Sequence, residues 1–239
     1  MSTSLPLLMV PGLICDARVF AAQMVAFDGA IAAGGHGAQR SLGAMAETIL
    51  AAAPPRFALF GHSMGARVAI EMWRRAPARI DRLALVNTGT HSPRPGEAEK
   101  RHALLDLGRA NGMAALVDAW MPPMFAPEHR DDPAITAPLR TMCIDQGVDA
   151  YAAQIAALLD RPEIDSLLPG IDVPTLVATG EHDGWAPPDQ HAAIAARIPG
   201  ARLRILPGAG HMLPAETPDA FNQAIRDWLA APHSDGETR

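Results

Sequence analysis

The chain has 239 residues, 49% of them hydrophobic and 19% charged, with a formal net charge of −6. That is material for one large soluble domain or a domain with an insertion, and its acidic balance offers no field for a phosphate backbone, which excludes nucleic acid as a natural partner. Two distant cysteines, Cys15 and Cys143, make neither a disulfide framework nor a metal spacing, and no secretory leader or membrane-length apolar run is evident, so the expected setting is the cytoplasm, away from a membrane.

Residues 5–10 are a short apolar run closed by Pro11 and Gly12, the pattern of a buried strand entering a tight loop. Asp16 can cap a helix over 17–27, with Val19, Phe20, Met24 and Phe27 on one face. A weak strand at 30–33 and a glycine-rich loop follow, and Ser41 is an N-cap for a helix over 42–52 that Pro54 and Pro55 close. The run Phe57-Ala58-Leu59-Phe60 then ends in Gly61-His62-Ser63-Met64-Gly65. A helical pattern with Arg67, Glu71 and Arg74 on its polar side comes at once, then a buried strand over 80–86. Strands alternating with helices in this way imply a parallel sheet covered on both faces.

From 88 to about 169 the alternation stops. Helical patterns cover 97–110, 113–121, 135–145 and 149–159 with no convincing strand between them. This segment reads as an α-helical cap insertion over a core built from 1–87 and 170–239. Alternation resumes with a strand over 173–179, a helix over 187–197, a strand over 201–206 and a helix over 215–229, before a frayed tail at 232–239.

Gly61-His62-Ser63-Met64-Gly65, placed between strand and helix, has the spacing of a nucleophile elbow. Its glycines are expected where the incoming strand and outgoing helix approach too closely for a Cβ. A serine nucleophile needs a base, and the base an orienting acid. In an open parallel sheet such groups meet in loops beyond the carboxyl ends of strands. Two loops qualify, Gly180-Glu181-His182-Asp183 and Gly208-Ala209-Gly210-His211. Glu181 competes with Asp183 for the acid role, whereas the loop after Val86 holds only Asn87 and Thr88, neither a carboxylate.

Together with Pro11-Gly12-Leu13, Ile198-Pro199-Gly200-Ala201 and Glu216-Thr217-Pro218, these motifs resemble the α/β-hydrolase superfamily in its small, lidded serine-hydrolase form. The resemblance implies an α/β fold with a mostly parallel sheet of about six strands. It also implies Ser63 as nucleophile, His211 as general base, Asp183 as its orienting acid, and an oxyanion hole from the N–H groups of Leu13 and Met64. The sequence departs from the family pattern at Pro11-Gly12, which replaces His-Gly, and at the reduced stretch from Gly35 to Ser41, which reshapes one pocket wall. The first change puts the loop's hydrogen-bonded support in question.

The implied reaction is hydrolysis of carboxylic esters of small, largely apolar acyl compounds, with no metal or organic cofactor. Lactone, thioester or carbon–carbon bond cleavage on the same triad is the alternative, and a non-catalytic ligand receptor is the reading from another class. Specificity is expected from the insertion and the acid loop, with Trp120, Met121, Met124, Met142 and Trp185 as pocket walls. Insertion residues of this kind are more often that segment's own core, although a lid resting on a sheet also needs an apolar underside. His36 and His91 lie near the expected rim. His62 and His182 are assigned to packing, Cys15 to the core, and His102 and His129 to the surface. No arginine cluster is expected to face the site, so a polyanionic substrate is not indicated. The oligomeric state is open, with a homodimer among the options.

Overall fold

The computed structural model describes residues 5–233, so the tail expected at 232–239 falls almost wholly outside the described residues. Six strands, β1 (Leu7–Val10), β2 (Ile31–Ala32), β3 (Phe57–His62), β4 (Ile80–Val86), β5 (Thr175–Gly180) and β6 (Arg202–Leu206), form one sheet in the order β2-β1-β3-β4-β5-β6. Every neighbouring pair is parallel. The continuous apolar runs become β1, β3 and β5, buried along their whole length. Arg202 and Arg204 keep the edge strand β6 wet, which discourages further strands from adding there.

The first three strands are followed by α1 (Ala21–Ala26), α2 (Leu42–Ala52) and α3 (Met64–Arg75). Between β4 and β5 lie α4 (Glu97–Asn111), α5 (Met113–Trp120) and α6 (Pro133–Leu159). After β5 come α7 (Pro188–Arg197), α8 (Leu213–Glu216) and α9 (Pro218–Leu229). Phe60 of β3 meets Phe20 and Phe221 at ring separations of 5.2 and 5.6 Å, so the first helical segment and α9 cover one face of the sheet. The next residue, Gly61, points to the opposite face and meets α3 there. One hydrophobic cluster runs from the sheet through to Leu116, Trp120, Met142 and Tyr151 of the inserted helices.

Several expectations change in three dimensions. The helix over 17–27 is a 3-10 turn, Ala17–Phe20, capped by Asp16 and followed by α1. The change of helix type rotates the inner face, leaving Met24 40% exposed and burying Gln23. The Gln23 side-chain Nε2 donates to Pro214 O (3.1 Å) and Asn222 Oδ1 (2.9 Å). Arg67 and Glu71, expected on a solvent face of α3, are buried. The helices over 135–145 and 149–159 join as α6 across a break at Gly147, whose φ of 80° and ψ of 163° are non-helical. The last helix divides at Thr217 into α8 and α9.

The chain passes from β1 out to β2 and then back across to β3 on the other side of β1. The carboxyl ends of β1 and β3 therefore flank the point where the winding reverses, the position at which open α/β sheets form a crevice.

Candidate active site

β3 turns into α3 through Ser63, whose φ of 56° and ψ of −120° place it in a backbone region costly for any residue but glycine. Its amide donates to Val86 O at 2.8 Å, and the hydroxyl of Thr88 donates to its carbonyl at 3.0 Å, so β4 and the loop beyond it hold the turn. The two flanking glycines answer to different neighbours. A Cβ on Gly61 would lie 2.4 Å from Ala66 Cα of the outgoing helix, as the motif leads one to expect. A Cβ on Gly65 would lie 2.2 Å from Val10 O at the end of β1, so this glycine admits the neighbouring strand rather than its own.

His211 stands in the loop after β6 with Nε2 at 2.9 Å from Ser63 Oγ. On its other side Nδ1 lies 3.0 and 2.9 Å from Oδ1 and Oδ2 of Asp183, in the loop after β5. A carboxylate can only accept there, so the proton sits on Nδ1 and Nε2 is left to accept from the serine hydroxyl. Asp183 Oδ1 also accepts from the amides of Trp185 and Ala186, each at 2.9 Å, and Oδ2 from Asn87 Nδ2 at 2.8 Å. Burial acts to raise this carboxyl, but the charge and hydrogen bond of His211, with the donors from Asn87 and Ala186, hold it well below the usual carboxylate range.

The histidine loop is itself anchored by Glu216, which accepts from the amides of Gly210 and Met212 at 3.0 Å and of Ala126 at 2.7 Å. His62 donates Nε2–H to His211 O at 2.8 Å, and burial together with the neighbouring His211 pushes its imidazole down to about 3, which keeps it neutral.

The loop after β1 lies against the elbow, since a Cβ on Gly12 would touch Ser63 Cβ at 3.0 Å. Among the described residues the amides of Leu13 and Met64 have no protein acceptor, whereas those of Ile14 and Cys15 on the same loop are taken. His36 Nε2 donates to Pro11 O at 2.8 Å, and Gln154 of α6 accepts from Ile14 N at 2.7 Å while donating to Gly37 O at 3.0 Å. The support missing from Pro11-Gly12 thus comes from the shortened 35–41 stretch and from an inserted helix.

A cavity of about 600 Å³ opens at Ser63, Met64 and His211. Leu104, Trp120, Pro123, Tyr151 and Trp185 supply its apolar walls.

A model of the alpha/beta hydrolase family matches residues 7–224. The chain belongs to the alpha/beta hydrolase family. An esterase of Thermogutta terrifontis, solved with malate bound, has a TM-score of 0.88 to this chain at 28% identity, covering 97% of this chain and 92% of the other. An enol-lactonase of Burkholderia xenovorans LB400 has a TM-score of 0.84 at 26% identity, covering 96% and 93%. Among curated sequences, a candidate carbamate hydrolase, RutD, of Variovorax paradoxus is 32% identical over 188 residues, 75% of this chain and 68% of its own length. The chain spans about two thirds of the length of the curated relatives it matches.

In this hydrolase the pocket differs from the one expected. Trp120 and Trp185 do line the cavity, but Met121, Met124 and Met142 do not. All three methionines are buried in the hydrophobic cluster, where flexible side chains fill irregular gaps. Met124 contributes through its backbone instead, its carbonyl accepting from His211 N at 2.7 Å. His36 is a buried brace rather than a rim residue, while His91 does line the cavity. His129 is half-buried beside Glu216 at 3.3 Å rather than free on the surface.

The expectation of no arginine cluster is overturned, because Arg67, Arg94, Arg101 and Arg161 all line the cavity. Their spread over 95 positions of sequence hid what packing brings together. Asn87, Gln154 and Glu216 also escaped assignment of a role. Only the turn after Val86 could have flagged Asn87, as a residue tolerant of the positive φ of 50° found there.

Proposed function

We propose that this protein hydrolyses carboxylic esters through an acyl-serine intermediate. Ser63 Oγ attacks the ester carbonyl carbon as His211 Nε2 takes the hydroxyl proton, and Asp183 stabilises the imidazolium that results. The oxyanion lies between the amides of Leu13 and Met64, each such donor worth about 3–4 kcal/mol. Collapse breaks the carbon–alkoxy bond, and the proton on His211 passes to the leaving alcohol. Water, deprotonated in turn by His211, then attacks the acyl-serine and releases the acid. Residues 88–169 serve as the lid that walls the acyl pocket.

The observation that carries this reading is the unbroken hydrogen-bond chain from Asp183 through His211 to Ser63 Oγ beside two unengaged amides. Steady-state hydrolysis of p-nitrophenyl esters tests it: Ser63→Ala is expected to lower kcat by about 10⁴-fold or more. Wild type and variant equally inactive on every ester would end the ester reading. Lactone opening uses the same steps with a tethered leaving group, and the likeness to an enol-lactonase structure favours it as the second reading. A panel of lactones run under the same conditions separates the two.

A further inference from the structure

Five cationic side chains line the cavity, Arg67, Arg94, Lys100, Arg101 and Arg161, against a single lining carboxylate, Glu97. Glu97 is fully committed. Its oxygens accept from both terminal nitrogens of Arg161 at 2.7 Å, from Arg101 Nε at 2.9 Å and from the Arg94 amide at 3.1 Å. Burial alone would raise its carboxyl, but these donors hold it down to about 2. Among the described residues Arg67, Arg94 and Lys100 have no ion-pair partner.

Arg94 and Lys100 sit at the exposed rim, where an unpaired charge costs nothing. Arg67 is different. It is 5% exposed, one helical turn beyond Ser63, and its terminal nitrogens donate only to the neutral carbonyls of Pro162 (3.1 Å) and His91. Burial and the nearby Arg161 pull its guanidinium down to about 9, which leaves it charged at neutral pH. The carboxylates of Glu97 and Asp165 act on it from a distance but neither touches it; a buried cation with no anion in contact is unfavourable, and an anion entering the cavity would relieve it. The planar fork of a guanidinium matches a carboxylate, and a single buried unpaired cation calls for a single negative charge. The remaining lining side chains mix apolar ones, Leu104, Trp120 and Trp185, with polar ones, Thr88, His91 and Gln190.

We propose that Arg67, with Arg94 and Lys100 at the rim, forms a carboxylate subsite, and that the substrate is a half-ester of a short dicarboxylic acid. Its ester carbonyl sits at Ser63 and its free carboxylate at the cationic wall, with an apolar spacer along Leu104 and Trp120. This rests on the reading of Ser63 as the nucleophile.

The test compares kcat/KM for mono-p-nitrophenyl glutarate with that for p-nitrophenyl pentanoate, a neutral ester of matching length. A preference for the anionic ester of about tenfold or more is expected, shrinking as salt is raised and collapsing toward unity in Arg94→Gln/Lys100→Gln and in Arg67→Gln. Ser63-dependent turnover of the neutral ester with no such preference overturns the subsite and leaves the hydrolase reading intact. If neither ester is turned over, and a fluorophosphonate does not label Ser63, the hydrolase reading fails, and binding to Ser63→Ala protein decides the subsite alone. A rise in Tm with glutarate that is lost in Arg94→Gln/Lys100→Gln, a pair that leaves the buried wall untouched, supports it. No rise, or an equal rise with inorganic phosphate, overturns it.

Discussion

At the scale of single residues, the site depends on positions where no other side chain does the same job. Gly65 is one, because the Cβ of Gly65→Ala would meet the Val10 carbonyl at 2.2 Å, and α3 would have to part from the end of β1 to admit it. We expect Gly65→Ala to lose about 2–3 kcal/mol of stability, measured by urea denaturation, the range of an overpacked core. Asn87 is another. Its φ of 50° suits asparagine, and its amide donates to Asp183 Oδ2 beside the His211 imidazole. Asn87→Asp keeps the shape but replaces that donor with a second carboxylate beside Asp183. An added negative charge favours the protonated imidazole, so the acid limb of kcat/KM should move to higher pH in Asn87→Asp and stay in place in Asn87→Ala. A pH–rate profile of the two variants checks this.

Between elements, the site is held by side chains that tie one loop to another. Gln154 reaches from α6 to the loop after β1 and fixes the Ile14 amide next to the unengaged amide of Leu13. Replacing it with leucine frees that loop without touching Ser63, His211 or Asp183. If Leu13 N–H serves the oxyanion as proposed, small misplacements of it are costly, and Gln154→Leu is expected to lower kcat by about ten- to a hundredfold with little change in KM.

Glu97 joins α4 to Arg161, just past the end of α6, and its linkage has a definite sign. Its folded-state carboxyl is held down to about 2, below the unfolded value of about 4.3, so its contribution is complete above pH ~4.3 and is lost as pH falls toward 2. The stability advantage of wild type over Glu97→Gln should therefore be constant near neutrality and shrink across that acidic window. Thermal melts at several pH values measure it.

Over the whole molecule, the inserted helices share one hydrophobic cluster with the sheet, so they are expected to unfold with it. Far-UV circular dichroism and tryptophan fluorescence should report coincident transitions in urea, since Trp120 lies in the insertion and Trp228 against the sheet core. Separate midpoints would mean that the inserted helices melt alone.

What the sequence determined by itself was local or periodic. The run of buried strands, the elbow around Ser63, and the acid and histidine loops each closing a strand could be read because backbone conformation and burial period are written in neighbouring residues. The parallel sheet and the convergence of Ser63, Asp183 and His211 followed from that order, since open sheets gather such loops at one edge. Only the tertiary structure decided the pocket. Gln154 bonds Ile14 across 140 positions, His36 bonds Pro11 across 25, and Arg67 and Arg161 are brought to one wall by helices whose packing no local pattern specifies. The apolar pattern of the insertion marks Met121, Met124 and Met142 as buried but leaves their surroundings open. Which buried side chains face a cavity and which face one another depends on how the insertion folds back on the sheet, a matter of long-range packing.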